Sequence, residues 1–511
     1  MTIDSAKLRR NLLLLPLAAS AVNIYGADKR PNIILFMVDD MGWQDTSVPF
    51  ADSITANNRK YLTPAMERLA ASGVKFTSAY ASAISSPSRC SLFTGANAAR
   101  HRVTNWTLHR DQTTDGASQT LVPPAWNYNG ISQTPGINNT YVAPSFVESL
   151  RSAGYHTIHV GKAHLGAIDT PGENPHHFGF EVNITGSAAG GLATYLSERN
   201  YGHDSLGNPV SPFAVEGLDR YWGTGVFATE ALTREAVKAL DKAKAYNQPW
   251  FLYMSHYAVH VPIDRDKRFY DKHIARGLDP REAAYASLVE GMDKSLGDIL
   301  DWVEANGESD NTVIIFMSDN GGYSASNDWR AGEIHTQNAP LRGGKGSLLE
   351  GGVREPMIVR WPGHTRPGTA IDEKVIIEDF YPTILEMAGI TPPDTIDGRS
   401  FVPLIEGTGN PSQGRALIWN YPNHWGMTGP AINFNCAINK DGWKLIYDYE
   451  TGTRQLYNLE KDPYEKVNLA QKERAKAKEM SKALGDALRA MDAQRPSFKA
   501  TGKPCPWPDE L

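Results

Sequence analysis

The segment Asn32 to Val38 (NIILFMV) is almost continuously apolar and runs straight into Asp39-Asp40. A run without polar alternation predicts a strand covered on both faces, as in a parallel sheet. Thr63-Pro64 then predicts a helix cap with proline in the first turn, opening a helix through Ala71. Gly73 stops that helix, and a second strand begins at Val74. The rhythm repeats: helix over 144–153 and strand over 155–160, then helix over 227–245 and strand over 250–255 (WFLYMS). Between 282 and 305, apolar residues at Tyr285, Leu288, Met292, Leu296, Ile299 and Val303 mark one buried helical face. A further buried strand follows over 312–317 (TVIIFM). Strands alternating with helices predict an α/β fold with a largely parallel sheet. Ligands in such folds gather beyond the carboxyl ends of the strands.

After about residue 400 the pattern shortens. Segments 416–419, 431–438, 443–448 and 455–459 predict short strands joined by turns, and 471–491 a charged helix with a solvated face. This predicts a small C-terminal sheet-and-helix domain over 401–511, after a main domain over 27–400. The Gly/Asn/Pro-rich stretch 121–141 is expected to be a surface loop.

The amino terminus has a different character. Lys7, Arg9 and Arg10 precede an apolar run over 12–22, and Gly26-Ala27 follows. That layout predicts a secretory signal peptide over 1–26, too short to span a bilayer, and hence a periplasmic or secreted protein. No membrane span is expected in the mature chain. The composition is that of an ordinary globular protein, with 41% hydrophobic and 21% charged residues. A formal net charge of −6 gives no global attraction for nucleic acid, so an anionic ligand must be held by local positive charge. Cys90, Cys436 and Cys505 are too few for a disulfide framework. Cys436 and Cys505 admit pairing in an oxidising compartment, and equally admit two buried thiols.

Four polar clusters follow apolar strand-like runs: Asp39-Asp40, Lys162 with His164 in VGKAHLG, His260 in HYAVHVP, and Asp319-Asn320 in SDNGG. One such cluster has an ordinary explanation, since acidic residues often end strands or cap helices. Four in register with one sheet edge point to a site. Asp39, Asp40, Asp319 and Asn320 offer only oxygen donors, which suits Ca²⁺, or less well Mg²⁺, rather than zinc. Ser85-Ser86-Pro87-Ser88-Arg89 reads as a turn fixed by Pro87, with Ser88 as a cap, leading into a helix whose N-terminus favours an anion.

With these motifs in view, the chain resembles the type I sulfatases of the alkaline-phosphatase superfamily. Their signature, C/S-x-P-S-R followed by four residues and T-G, is matched by Ser85 to Gly95. RPNIILFMVDDMG, VGKAHLG, YAVHVP, FMSDNGG and LRGGKGSLLEGGVREP occur in the family's order, and DGWKLIYDYE and QLYNLEKDPYE resemble its C-terminal segments. The resemblance implies an alkaline-phosphatase-like fold: a large mixed, mostly parallel sheet flanked by helices, with a small C-terminal antiparallel domain. It also implies that Ser85 is oxidised to formylglycine (3-oxoalanine) by a serine-type sulfatase-maturating enzyme, and that the aldehyde hydrate is the nucleophile. Asp39, Asp40, Asp319 and Asn320 would then hold Ca²⁺ with residue 85. Arg89 and Lys162 would stabilise the hydrate, His164 would contact it, and His260 and Lys345 would hold the sulfate and assist departure of the alcohol. The site so assembled carries roughly two positive charges, enough to capture a sulfate ester despite the acidic whole.

The function implied is hydrolysis of sulfate monoesters on a sulfated carbohydrate. Two alternatives stand beside it: a phosphate or phosphonate ester hydrolase of the same superfamily, and a catalytically silent sulfated-glycan-binding protein with unmodified Ser85. Candidate sugar contacts are Arg102, Asn105 and Trp106 after the signature, Trp329 and Arg330 after SDNGG, and His424-Trp425 in the C-terminal domain, since aromatics stack on sugars and arginine pairs with anions.

Overall fold

The structure, a computed structural model, describes residues 30–323 and 338–510. The expected signal segment 1–26, Trp329 and Arg330 lie outside the described residues.

The centre is a nine-stranded sheet. Its strands are β1 (Asn32–Val38), β2 (Val74–Tyr80), β3 (His156–Gly161), β4 (Val182–Ile184), β5 (Trp250–Ser255), β6 (Thr312–Ser318), β7 (Arg354–Arg360), β8 (Thr369–Ile371) and β9 (Val375–Ile376). Their spatial order is β8-β2-β7-β6-β1-β5-β3-β4, with β9 also on β2. β1 lies between β5 and β6, parallel to both, with Ile33 opposite Phe251 on one side and Val313 on the other. Every residue of these three strands is buried. Ile33, Leu35 and Met37 enter one core and Ile34, Phe36 and Val38 the other, the period of two expected of a strand covered on both faces.

β7 is antiparallel to both its neighbours. Its sequence, REPMIVR, carries no strand signal because Glu355 and Pro356 interrupt it. The pairing with β2 shifts register between Glu355 and Met357, where proline has no N–H to offer the ladder.

Helices α1 (Pro64–Ser72), α2 (Ser85–Thr94), α3 (Ala228–Ala245) and α4 (Pro280–Ala305) pack on the sheet. Thr63 stands at the N-cap of α1, but its side chain does not cap the helix. The Thr63 hydroxyl instead meets Thr46 Oγ1 and Ser47 Oγ, both at 2.8 Å. The cap comes from α4, where the Asp293 carboxylate accepts from Ala65 N at 2.9 Å and Met66 N at 2.8 Å.

Stretch 121–141 is more than a surface loop. Trp126 and Ile131 are buried in it, and Ile131–Ser132 pairs with Tyr141–Val142.

The C-terminal part is an antiparallel meander, β10 (Leu417–Tyr421), β11 (Asn435–Lys440), β12 (Trp443–Asp448) and β13 (Arg454–Asn458), covered by α5 (Arg474–Ala490). The helix buries Ala477, Met480, Leu484 and Leu488, one face at helical spacing. Cys436 and Cys505 lie in this core as free thiols, and Cys90 is likewise free and buried. The meander shares the core of the main sheet through Leu417, Trp419 and Ile446, and is joined to it through polar groups as well. The Trp419 indole donates to Ala81 O at 2.8 Å, and the fully buried Lys444 pairs with Glu350 at 2.8 Å and Glu465 at 3.2 Å. Among the described residues, no helix is long and apolar enough to cross a membrane.

Candidate active site

Asp319-Asn320, Asp39-Asp40, His260 and Lys162/His164 follow β6, β1, β5 and β3, four adjacent parallel strands. Their side chains meet at the carboxyl edge of the sheet, facing the N-terminus of α2. Ser85 is the first residue of α2 rather than part of a preceding turn. Pro87 costs that helix nothing, because N–H groups of a first turn have no intrahelical acceptor. Ser88 does not cap it; its hydroxyl accepts from Ser82 N at 3.0 Å and fixes the entering loop. Gly95 ends the helix with φ 65°, a left-handed turn that suits glycine.

Four residues after Ser85, on the same helical face, Arg89 is wholly buried. Its Nε and Nη2 grip Asp319 Oδ2 at 2.9 and 2.8 Å, and Nη1 donates to Ser255 Oγ at 2.6 Å and Tyr253 OH at 3.2 Å. Lys162 Nζ lies 2.7 Å from Asp39 Oδ2 and donates to Ser85 Oγ at 2.9 Å. Ser85 Oγ is also 3.2 Å from Asp39 Oδ1 and 3.1 Å from Asn320 Oδ1. Asn320 Nδ2 donates to Asp40 Oδ1 at 2.7 Å, while Lys345 Nζ stands 2.9 Å from Asp40 Oδ2. His260 Nε2 is 3.7 Å from that same oxygen, and His260 Nδ1 is 2.7 Å from Val261 O. His164 Nε2 meets Ser86 Oγ at 2.9 Å and Thr107 O at 3.1 Å.

Burial sets the protonation of these groups. It lowers the Lys162 ammonium to about 8 against the pull of Asp39. Burial, reinforced by Lys162 and Arg89, holds His164 far below the ordinary histidine value, so its ring is neutral. Burial and then Lys345 lower His260. For Lys345 burial is outweighed by Asp40 and Asp39, which keep its ammonium above the ordinary value. Asp40 is held below the usual carboxylate range because Lys345 and His260 together overcome the cost of its burial. Asp40 and His164 both have left-handed backbones, φ 61° and 56°, uncommon for residues with a side chain and characteristic of functional positions.

The donor set fits a hard divalent cation. Asp39, Asp40, Asp319 and Asn320 are all buried; Asp39 Oδ1 and Asn320 Oδ1 meet at Ser85 Oγ, Asn320 Nδ2 reaches Asp40, and Asp319 Oδ1 accepts from Asp40 N at 3.3 Å. Oxygen donors of this kind suit Ca²⁺. Donor atoms of Asp39, Asp40 and His260 lie within 4.8 Å of one another, but the histidine lines the open cleft rather than the oxygen cage.

That cleft, of about 210 Å³, runs from Ser85, His164, His260 and Lys345 to a wall that includes Trp106 and Trp425. Trp425 lies against the backbone at Gly346, where a Cβ would come within 2.4 Å of its ring, and Lys345 Nζ is 6.0 Å from the ring centroid. The remaining sugar candidates sit elsewhere. Arg102 ends the short helix Ala98–His101, and its guanidinium is tied to Asp492 O. Asn105 is buried with its amide on Asp115, and the His424 ring packs against Phe434. Sequence reasoning missed Gly190, Gly191, Phe213, Tyr323 and Met427 in the lining. The Gly190-Gly191 pair carried a signal: a Cβ at Gly190 would stand 2.2 Å from His164 Cε1, so only glycine lets this strand of chain approach.

The fold and this assembly at its edge define a member of the alkaline-phosphatase-like hydrolases. The chain belongs to the sulfatase family: the family model described as Sulfatase matches residues 31–390, and one described as N-sulphoglucosamine sulphohydrolase, C-terminal, matches 344–494. It is 31% identical to a sulfatase of Formosa agariphila over 90% of this chain and 88% of that one. It is 30% identical to the N-acetylgalactosamine-6-sulfatase of Rattus norvegicus, over 92% and 87% of the two chains. The crystal structure of Ps i-CgsB in complex with k-i-k-neocarrahexaose superposes with a TM-score of 0.70 at 26% identity, covering 92% of this chain and 95% of that one. The protein is thus a sulfuric ester hydrolase.

Proposed function

We propose that the enzyme removes sulfate from a sulfated carbohydrate, using a formylglycine made from Ser85 beside a calcium ion held by Asp39, Asp40, Asp319 and Asn320. One observation carries this reading: Ser85 Oγ lies 2.9 Å from Lys162 Nζ and 3.1 Å from Asn320 Oδ1, so the nucleophile position, a buried cation and the oxygen cage share one point. Calcium, when bound, supplies positive charge against the sulfate oxygens and the residue-85 hydroxyl. Formylglycine, as its hydrate, supplies one hydroxyl to attack sulfur and a second to expel sulfate, an exit that a plain serine lacks.

The chain's own residues do the rest. Lys345 and His260, at the cleft side of Asp40, hold the sulfate. The bound anion opposes the effects that keep His260 deprotonated, so His260 takes up a proton and passes it to the leaving alcohol oxygen. Arg89 and Lys162 fix residue 85 and its neighbouring carboxylates. Neutral His164, held by Ser86 and close to residue 85, accepts the proton of the second hydroxyl. Trp106 and Trp425 offer flat apolar faces to a sugar ring. The proposal includes export after removal of 1–26, maturation by a serine-type maturating enzyme, and a division into 27–400 and 401–511.

A two-metal phosphatase needs ligands for a second ion. Asp319-Asn320 stands where such an enzyme would more often have Asp-His, which favours the sulfate reading. Enzyme co-produced with a serine-type maturating enzyme should cleave p-nitrophenyl sulfate and defined sulfated mono- and disaccharides far faster than p-nitrophenyl phosphate. Its residue-85 peptide should be lighter by about 2 Da than the serine form. A preference for the phosphate ester would replace the reading with the phosphatase one. Native protein with no mass loss and no turnover would replace it with silent binding.

A further inference from the structure

Next to the catalytic cleft is a second concavity, of about 610 Å³, that the chemistry above does not use. Leu196 and Ile263 contribute apolar surface, and Arg199, Arg265, Lys267 and Arg281 line it. Two acids share this lining, and both are engaged. Glu198 is paired with Lys267, and Asp264 Oδ2 accepts from Thr194 Oγ1 at 2.7 Å and Tyr195 N at 2.8 Å. The arginines differ. Among the described residues, the guanidiniums of Arg199 and Arg281 enter no hydrogen bond or ion pair, and Arg265 rests on the face of Tyr270 at 5.3 Å from its centroid. All three are exposed. A groove holding four cations against two acids stands out on a chain whose net charge is −6.

Groove and cleft are neighbours along the chain. Val261 lines the cleft and Ile263 the groove, so the two linings come within about 7 Å along the backbone. Tyr195, beside Leu196, donates its hydroxyl to His260 O at 2.9 Å and braces the ridge between them. Unpaired arginines offer a planar fork of donors that matches the oxygens of an oxyanion, and the apolar surface between them suits the C–H face of a sugar.

We propose that this groove binds further sulfate groups of a polysaccharide chain whose reacting unit lies at Ser85, so that the substrate is a multiply sulfated polymer or long oligosaccharide. The proposal rests on the sulfatase reading and extends it from one sulfate ester to the chain that bears it. Because the groove is open to solvent, its contribution falls as ionic strength rises.

Dextran sulfate is the probe, with neutral dextran as the uncharged comparison. Three matured proteins are measured by affinity electrophoresis: the parent, a groove variant carrying Arg199→Ser, Arg265→Ser and Arg281→Ser, and a control variant carrying Lys242→Ser, Lys461→Ser and Lys472→Ser, which removes equal charge from exposed positions elsewhere. The groove variant should bind dextran sulfate about tenfold or more weakly than the parent, the control within about twofold, with neutral dextran retained by neither. Turnover of p-nitrophenyl sulfate, too small to reach the groove, should be alike in all three. Equal weakening in the two variants, or no weakening in either, overturns the groove. So does a groove variant that loses p-nitrophenyl sulfate turnover, since that marks a structural role. Failure of the parent to hydrolyse any sulfate ester tells against the sulfatase reading instead, and is read independently of the binding result.

Discussion

His260 sits where two charge effects oppose each other. Burial and Lys345 disfavour its protonated form, while Asp40 and Asp39 favour it. An anion arriving in the cleft tips that balance, which couples substrate binding to readiness for proton donation. The role has a specific signature, because leaving groups differ in their need for a proton. A sugar alkoxide is a poor leaving group, whereas p-nitrophenolate departs unaided. His260→Ala should lower kcat on a sulfated saccharide by about 10²–10⁴-fold, and on p-nitrophenyl sulfate by less than about tenfold. Steady-state rates on both substrates measure the contrast. Equal losses would assign His260 to holding sulfate rather than to moving a proton.

At the scale of elements, α1 shows why a cap written in the sequence need not be the cap that forms. Thr63-Pro64 has the right residues, yet Thr63 spends its hydroxyl on Thr46 and Ser47, and Asp293 reaches over from α4. Asp293→Ala should remove both acceptors, cost about 1–2 kcal/mol, and lower the melting temperature, while p-nitrophenyl sulfate turnover stays within about twofold. Asp293→Asn, which keeps one carbonyl oxygen, should fall between; an alanine variant as stable as the parent would show that water replaces the cap. The same tertiary logic separates what was legible in the chain from what was not. β1, β5 and β6 could be read because strands buried on both faces have no polar alternation to confuse, and the clusters that follow them locate the sheet edge. β7 could not, since Glu355-Pro356 breaks its apolar run. The helix after the signature was expected, but the start of α2 at Ser85 was not, because all ten of its residues are buried, serines and Arg89 included, and it has no amphipathic face to mark its bounds. The oxygen cage and Lys162 were legible because each sits next to a strand end, whereas Arg89 in α2 and Lys345 in a loop came from the family motifs alone. Gly190, Phe213, Tyr323 and Met427 come from loops brought in by folding, and only Gly190-Gly191 left a trace.

Across the whole molecule, two sets of buried groups pull stability in opposite directions with pH. Burial lowers His101 to about 4, and His159 and His256 to about 3. Below about 6.5, the ordinary histidine value, the unfolded chain therefore binds more protons than the fold, and stability is lost as pH falls. For these three the loss continues down to their folded values. Four acids behave in the reverse sense, since burial raises Asp293, Glu378 and Glu465 to about 7 and raises Glu355 as well. Above about 4.3 the unfolded chain has released protons that the fold retains, so stability declines as pH rises, until these acids ionise in the fold as well. Each group contributes at most about 1.4 kcal/mol per pH unit. Between about 4.5 and 6.5 these histidines, with His164 and His260, oppose the raised acids, and the slopes partly cancel. The expected outcome is a broad stability maximum in that window, a fall on the acid side where histidines titrate together with carboxylates held low such as Asp40 and Glu350, and a smaller fall toward pH of about 7 where the raised acids titrate alone. Thermal melting at constant ionic strength from pH of about 3.5 to 8 measures this curve; a melting temperature still climbing between about 6.5 and 7 would show that the acids are ionised in the fold. Glu378 isolates the alkaline limb. Its Oε1 accepts from Asn97 Nδ2 at 2.9 Å, a bond that a glutamine carbonyl can also accept. Glu378→Gln keeps that contact but loses the titration, so its stabilisation should grow from pH of about 4.5 to a plateau near about 7 and leave the acid limb unchanged.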